Sequence, residues 1–385
     1  MKNRKEKQTY CYMLWLLIAI GFGAVIGLTS GLFVMLQHYI SEFIWKYIPH
    51  VFNINTPFYQ VITPAVGGLL IGYSIKIFGH HPQPISEVME KNKKKELKPE
   101  DIRNVPKAFL IALLSIIFGG PLGPESAVIG IVFGCIPLAS YVLERFQKQH
   151  LKKLKNKIAS KIPAILGVVA GLAIFALLSI SIFGLSYEFS YYNYSLGSLD
   201  LVWVVALALL GYLLGFLYKK TKNSLKTFIK RTSKNPVLLG MVGGLILGLL
   251  GLTSEWIFFS GQTGLSELLA IGPDLSWQYL TMVGLLKYIA AIVTLTAGWK
   301  GGEIFPVMFA ASALGMGLGN LLGIDQTLAI AAILSSSLSV VLGNAFIAVP
   351  ISLIFLPLET AVPLIVAALV SFILDKTKVK HYPKK

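Results

Sequence analysis

Two short glycine- and proline-rich motifs interrupt apolar stretches of the sequence. The first is Gly119–Glu125 (GGPLGPE) and the second is Lys300–Pro306 (KGGEIFP). Glycine permits close backbone approach, and proline suits the first turn of a helix. Each motif is therefore predicted to lead into a helix whose unpaired amide groups and positive dipole end point into the protein. Two such helix ends that converge are suited to binding an anion.

The composition indicates that these motifs lie within a membrane protein. The chain has 385 residues, of which 55% are hydrophobic and 14% charged, and a mean hydropathy of +0.70. Soluble domains average about 25% charged residues. Several nearly uncharged stretches reach the roughly 20 residues needed to cross a bilayer. We predict an all-α polytopic membrane protein with the lipid bilayer as a partner, which excludes a soluble enzyme, a disordered protein and a disulfide scaffold.

The charge distribution predicts the orientation in the cell membrane. The net charge is +16, from 34 Lys and Arg against 18 Asp and Glu. Most of the basic residues fall in segments 2–7, 91–107, 145–161, 219–234 and 376–385. This asymmetry is typical of cytoplasmic loops, not of nucleic-acid binding, so both termini are predicted to be cytoplasmic. The predicted apolar helices lie near 11–38, 58–78, 106–118, 123–143, 162–186, 201–218, 236–257, 281–298, 304–322, 327–343, 345–356 and 360–375.

An internal repeat sets the predicted architecture. VGGLLIG at 66–72 recurs as VGGLILG at 242–248, and Lys107 recurs as Lys287. The first half contains an odd number of predicted crossings, so the second copy enters from the opposite face. Inverted-topology repeats place broken helices and a substrate site at the bilayer midplane. The predicted divisions are a first repeat (1–198), a second, inverted repeat (199–375) and a short basic tail (376–385).

With these motifs, this repeat and this topology, the sequence resembles the CLC family of chloride channels and chloride/proton exchangers. GPLGP followed by Glu resembles the family's GxEGP motif, and GGEIFP resembles its GxFxP motif. The resemblance covers most of residues 10–375. It implies a homodimer with one pore per subunit, no cofactor, and a central chloride-like anion site lined by backbone amides. The candidate anion-binding residues are Gly120, Leu122, Gly123, Pro124, Gly302, Glu303, Ile304, Phe305 and Pro306.

The first motif departs from the family pattern at one position. The family's gating glutamate falls on Leu122, which carries no proton. Glu303 and Glu125 are the candidate gating or proton-linked residues. A carboxylate beside an anion site must repel the anion, be protonated or occupy the site itself. For Glu125 the alternative is stabilisation of a helix N-terminus.

Weaker candidates for pore-lining residues come from the rest of the pattern. The family's serine falls near His81, Gln83 or Ser86, and Tyr382 is the candidate for its tyrosine. Lys287 lies within an apolar helix, where a buried charge suggests a function. The adjacent histidines at 80 and 81 have no further metal-type ligands at a useful spacing, so no metal site is expected.

The sequence therefore predicts transport of a small monovalent anion, most simply chloride, in a passive or weakly proton-coupled manner. One alternative is an exporter of fluoride or another anion. A second is an anion/proton antiporter that uses Glu303 or Glu125. A membrane-embedded enzyme is the distant alternative, because no convergent catalytic set is visible in the sequence.

Overall fold

The computed structural model describes residues 2–54, 56–82, 90–91, 94, 98–151, 161–183, 194–195, 197 and 199–381. Within these ranges every regular element is a helix, and the only extended pairing is one isolated bridge between Gly123 and Gly302. Eight helices in this part of the chain are long and apolar enough to cross a membrane. The all-α fold predicted from the sequence is confirmed.

Fourteen α-helices occur in the described residues. Their bounds are α1 Lys2–Glu42, α2 Ile48–Phe52, α3 Thr56–Phe78, α4 Val105–Ile117, α5 Glu125–His150, α6 Ile162–Phe183, α7 Asp200–Thr232, α8 Pro236–Gly251, α9 Gln262–Ile271, α10 Trp277–Thr296, α11 Ile304–Leu322, α12 Gln326–Leu342, α13 Ala345–Leu353 and α14 Ala361–His381.

Each predicted apolar helix corresponds to an observed one, with differences in the bounds and in the short helices. The helix predicted to end near residue 218 continues as α7 to Thr232, and half of residues 217–232 are Lys, Arg or Leu, which are good helix formers. The short helix α9 lies in a segment that was not predicted to be helical. Large apolar side chains such as Leu17, Val168 and Leu172 are about three-fifths exposed, which is stable only in lipid. The chain is a multi-pass membrane protein.

Contacts divide the chain into two compact units. The first unit consists of Met1–Tyr47, Phe78–Ile117 and Pro124–Ser186. Its helices α1 and α6 touch through glycines, since a Cβ placed on Gly23 would lie 1.8 Å from the carbonyl oxygen of Gly167. Such small-residue contacts let membrane helices approach closely. The buried core of this unit contains Phe33, Val34, Ala112, Ile116, Ala127 and Ile131.

The second unit consists of Ile48–Ile77, Phe118–Gly123 and Tyr187–Lys385. Helix α12 is buried along nearly its whole length, and its serines bond to neighbouring helices. Ser336 Oγ donates to the Ala208 carbonyl oxygen at 2.6 Å, and Ser335 Oγ donates to the Leu364 carbonyl oxygen at 2.7 Å. The serine hydroxyl groups of α12 thus form hydrogen bonds to backbone carbonyl oxygens of the helices packed against it.

The two helices that carry the repeated glycine sequence, α3 and α8, pack against each other in this unit. A Cβ on Gly68 of α3 would lie 1.9 Å from the Gly240 carbonyl oxygen of α8. A Cβ on Gly244 would lie 2.0 Å from the Pro64 carbonyl oxygen. The glycines recur in both copies because each helix is the other's packing surface. The division of the chain at residue 198 remains a prediction.

Candidate functional site

A pair of backbone hydrogen bonds joins the two glycine-proline motifs. The Gly123 N–H donates to the Gly302 carbonyl oxygen at 2.9 Å, and the Gly302 N–H donates to the Gly123 carbonyl oxygen at 2.7 Å. Both glycines belong to the second unit. The structure thus brings together two motifs that are 179 residues apart in the sequence. We call this pairing the motif bridge.

Leu122 is buried against the second motif. Its side chain is fully buried, and its N–H donates to the Gly120 carbonyl oxygen at 2.7 Å. A Cβ added to Gly301 would lie only 2.4 Å from the Leu122 Cβ. The Leu122 and Gly123 amides are therefore used in backbone bonds, and their predicted contact with an anion stays a prediction.

A third segment supports the first motif. The Phe259 N–H donates to the Gly119 carbonyl oxygen at 2.9 Å. Gly119 has a φ of +86°, and Phe259 has a φ of +58°, which is unusual for a non-glycine residue. This bond holds the loop that contains Phe259 against the first residue of the first motif. Phe259 could not be predicted from the sequence, because nothing in its residue type marks a left-handed backbone conformation.

The second motif leads into α11, which begins at Ile304 with Glu303 as its N-cap. The Val307 N–H donates to the Glu303 carbonyl oxygen at 3.2 Å, so the Ile304 and Phe305 amides precede this bond. Pro306, the third residue of the helix, has no N–H to place. First-turn amides and the positive end of the dipole favour a negative charge here.

The Glu303 carboxylate forms an ion pair with Lys222 of α7. The Lys222 Nζ lies 2.6 Å from both Glu303 oxygens, and the two side chains are about one-quarter exposed. The same Nζ lies 5.4 Å from the centre of the Tyr218 ring, a cation–π distance. The negative charge of Glu303, within the second motif, is thus balanced by the positive charge of Lys222. The charge pattern of the sequence predicts a cytoplasmic loop at Lys222.

A periodic signal for Lys222 is present in the sequence of α7. Gly211, Gly215 and Tyr218 are buried on one face of this helix. Lys222 follows Tyr218 by four residues, so it continues the same face. The Tyr218 hydroxyl is buried beside the Glu303 carboxylate. Lys222 can be assigned to this buried face only once the helix is known to continue past residue 218.

Three of the remaining candidates, His81, Pro124 and Glu125, belong to the first unit. His81 lines a small cavity of the first unit together with Lys91, Asp101, Asn104 and Gly134. Pro124 is the N-cap of α5, and Glu125 is the first residue of that helix, in the first unit. Gln83, Ser86 and Tyr382 lie outside the described residues.

Lys287 is completely buried in the second unit, as its place in an apolar helix suggested. Its Nζ lies within 3.3 Å of four backbone carbonyl oxygens. Its repeat partner Lys107 is half-buried and donates to the Asn104 Oδ1 at 3.4 Å. Within the described ranges, no three His, Cys, Asp or Glu side chains lie together in a way that would hold a metal ion.

Comparison with known proteins places these features in a family. Residues 151–376 match the model of the family described as voltage gated chloride channel. A segment of 84 residues, 22% of this chain, is 36% identical to YfeO of Escherichia coli (strain SMS-3-5 / SECEC), which carries a provisional name as an ion-transport protein. The matched segment spans 20% of that relative's length.

Solved structures with a similar fold cover nearly the whole chain. A CLC-type fluoride/proton antiporter aligns with a TM-score of 0.69 at 19% identity, over 95% of this chain and 96% of the other. A slow cyanobacterial Cl⁻/H⁺ antiporter aligns with a TM-score of 0.71 at 14% identity, over 94% of both chains. At these identities the likeness shows the fold.

Proposed function

Because the chain belongs to the voltage gated chloride channel family, we propose that it carries a small monovalent anion, chloride first, across the cell membrane. The observation that carries this proposal is the motif bridge between Gly123 and Gly302, beside the N-terminus of α11. The function proposed is transport without a cofactor, not catalysis of a reaction.

The anion would be held by main-chain groups near the motif bridge. The Ile304 and Phe305 amides and the dipole of α11 supply the attraction. Gly120, Gly302 and Pro306 set the path of the backbone around them. Few fixed charges line such a site, and this suits transport, because an ion that is bound too tightly leaves slowly.

Transport is expected to be passive or only weakly coupled to protons. The position at which the related pattern carries a glutamate is occupied by Leu122, whose side chain is fully buried. Leucine neither binds a proton nor mimics an anion. Any coupling would therefore need another carboxylate, and Glu303 directly follows Gly302 of the motif bridge.

The Lys222–Glu303 ion pair reduces the repulsion between the second motif and a transported anion. An unpaired carboxylate at the N-terminus of α11 would repel the transported ion by Coulomb interaction, which is strong where water is scarce. Lys222, 2.6 Å away, neutralises that charge. Neutralisation of Glu303 by a proton instead would leave Lys222 as a net positive charge and attract anions more strongly.

Fluoride or another anion is the second candidate substrate. The observation that favours it is the departure of both motifs from the chloride pattern, at Leu122 and at Ile304. Efflux of chloride, fluoride and nitrate compared in the same vesicles separates these substrates.

The oligomeric state and the orientation are also proposed. We propose a homodimer with one pore per subunit, in keeping with the family pattern, and cytoplasmic termini, in keeping with the basic segments. A cysteine at Ser195 should be labelled only from outside, and one at Lys230 only from inside. Labelling of both from one face would contradict the proposed topology.

The site is tested by anion efflux from proteoliposomes. The substitution Gly302→Leu places a bulky side chain at the motif bridge and should abolish flux. Gly21→Leu is the matched control, because a Cβ on Gly21 has no atom within 4 Å. Folding of both variants is checked by gel filtration in detergent. Unchanged flux in a well-folded Gly302→Leu protein would remove this motif from the anion pathway.

A further inference from the structure

A fully buried lysine nitrogen lies among four consecutive backbone carbonyl oxygens. The Lys287 Nζ lies 2.7 Å from the Trp256 oxygen and 2.7 Å from the Phe259 oxygen. The oxygens of Ile257 and Phe258 lie 3.3 and 2.9 Å from it. The ring centre of Phe309 is 5.2 Å from the same nitrogen. We call the four oxygens the carbonyl cage.

The four partners of the Lys287 Nζ are neutral backbone oxygens. Within the described residues Lys287 forms no ion pair with a carboxylate, and its side chain is 0% exposed. A buried charge without a counter-ion is costly, and in a membrane it points to a function. Four neutral oxygens around one point also resemble the carbonyl rings that replace the hydration shell of K⁺. Divalent cations prefer carboxylates and shorter distances.

The fold of the loop makes the cage possible. Phe259 has a φ of +58°, and this left-handed turn directs its carbonyl to the same point as the preceding ones. The start of the loop is held by the same helix, since the Tyr279 hydroxyl of α10 donates to the Ser254 Oγ at 3.0 Å. Helix α10 therefore holds the loop at both ends, through Tyr279 and Lys287.

The cage is linked to the first motif by one residue. Phe259 accepts from Lys287 through its carbonyl and donates through its N–H to the Gly119 carbonyl oxygen at 2.9 Å. Gly119 lies four residues before Gly123, which forms the motif bridge. A change in the cage would therefore move the backbone at Gly119.

We propose that the carbonyl oxygens of residues 256–259 form a monovalent-cation cage, which Lys287 fills with its own ammonium, and that the filled cage positions Gly119 and the first motif. Lys287 is thus a positioning residue, and its effect on anion flux rests on the function proposed above. The cage itself does not depend on that function.

Replacement of the built-in cation by a free one tests the cage. Lys287→Ala is purified, and its melting temperature is measured in equal concentrations of potassium, butylammonium and N-methylglucamine chloride. We expect potassium or butylammonium to raise the melting temperature above the value in N-methylglucamine, which is too large to enter. Wild type should show no such difference.

Lys219→Ala is the matched control, because the Lys219 Nζ donates to a single carbonyl oxygen, that of Val340, at 2.9 Å. Its melting temperature should be the same in all three salts. Equal melting of Lys287→Ala in the three salts, or failure of this variant to fold in any of them, would overturn the cage. The anion is chloride throughout, so anion binding cannot produce the difference.

The positioning role is tested with Lys287→Met, which keeps the apolar stem and removes the charge. We expect the folded variant to need at least tenfold more anion for half-maximal flux, because the motif is displaced while the rest of the pathway is intact. A half-maximal concentration within twofold of wild type would overturn the positioning role. Absence of flux in wild type would contradict the proposed function instead, and the melting experiment would still decide about the cage.

Discussion

The Lys222 ammonium lies 2.6 Å from both carboxylate oxygens of Glu303, the residue that caps the helix behind the second motif. A helix N-terminus attracts anions, whereas a carboxylate at the same place repels them. The ion pair reconciles the two, since the lysine cancels the charge of the glutamate. This pairing makes the local charge depend on two residues that lie on different helices.

Removal of the lysine should therefore reduce anion transport. In Lys222→Met the Glu303 charge remains without its partner, and we expect flux to fall about tenfold, the factor that corresponds to about 1.4 kcal/mol. The double variant Lys222→Met/Glu303→Gln should recover most of it, because both charges are then gone. Lys230→Met, an exposed lysine further along α7, is the control. Loss of flux that persists in the double variant would contradict compensation.

The pH dependence of flux tests whether Glu303 is linked to protons. Wild type should show little stoichiometric proton movement with the anion, and any pH dependence of flux should be smaller in Glu303→Gln. Efflux is recorded together with the internal pH of the vesicles. Uphill proton pumping driven by an anion gradient would contradict passive transport. Identical pH profiles of wild type and Glu303→Gln would point to Glu125.

A carboxylate placed at Leu122 should impose a pH-dependent block. In Leu122→Glu the side chain repels or replaces the anion when it is ionised and does neither once it is protonated. We expect low flux at high pH that rises as the pH falls. Leu122→Gln, which has the same shape without the charge, should lack this rise. The measurement is efflux at a series of pH values, and a parallel rise in the glutamine variant would exclude titration as its cause.

The close approach of Gly301 and Leu122 can be tested by exchange of size. Gly301→Ala should lower flux, because its Cβ would lie 2.4 Å from the Leu122 Cβ. Leu122→Gly removes that atom, so Leu122→Gly/Gly301→Ala should carry more anion than Gly301→Ala alone. Efflux of the two single variants and the double variant is compared. A double variant that carries no more anion than Gly301→Ala would show that another contact limits transport.

The glycine contact between α1 and α6 should matter for stability alone. In Gly23→Leu a Cβ would lie 1.8 Å from the Gly167 carbonyl oxygen, and overpacking of this kind costs about 1–3 kcal/mol. Gly21→Leu, two residues away in open space, should be nearly neutral. Thermal unfolding in detergent compares the two. Equal melting temperatures would mean that the helices separate without cost.

Several features of the protein were determined by the sequence alone. The length and low charge of the apolar stretches require helices in a bilayer, because backbone groups in lipid must be satisfied within a segment. Glycine and proline mark interruptions at 119–125 and 300–306 because their backbone preferences are local. The repeat of 66–72 at 242–248 could be recognised because the two segments have nearly the same residues. The two helices that carry these segments pack against each other.

Only the tertiary structure decided which distant groups meet. Lys222 and Glu303 are 81 residues apart, and Lys287 reaches carbonyls 28 to 31 residues before it. Charge patterning placed Lys222 in a cytoplasmic loop because basic residues near a helix end are ordinarily solvated. Backbone carbonyls carry no signal of residue type, so the partners of Lys287 and the bond from Phe259 to Gly119 were invisible. Pairing of such groups is decided by how helices pack and how the loops between them turn, and neither is a local property of the residues involved.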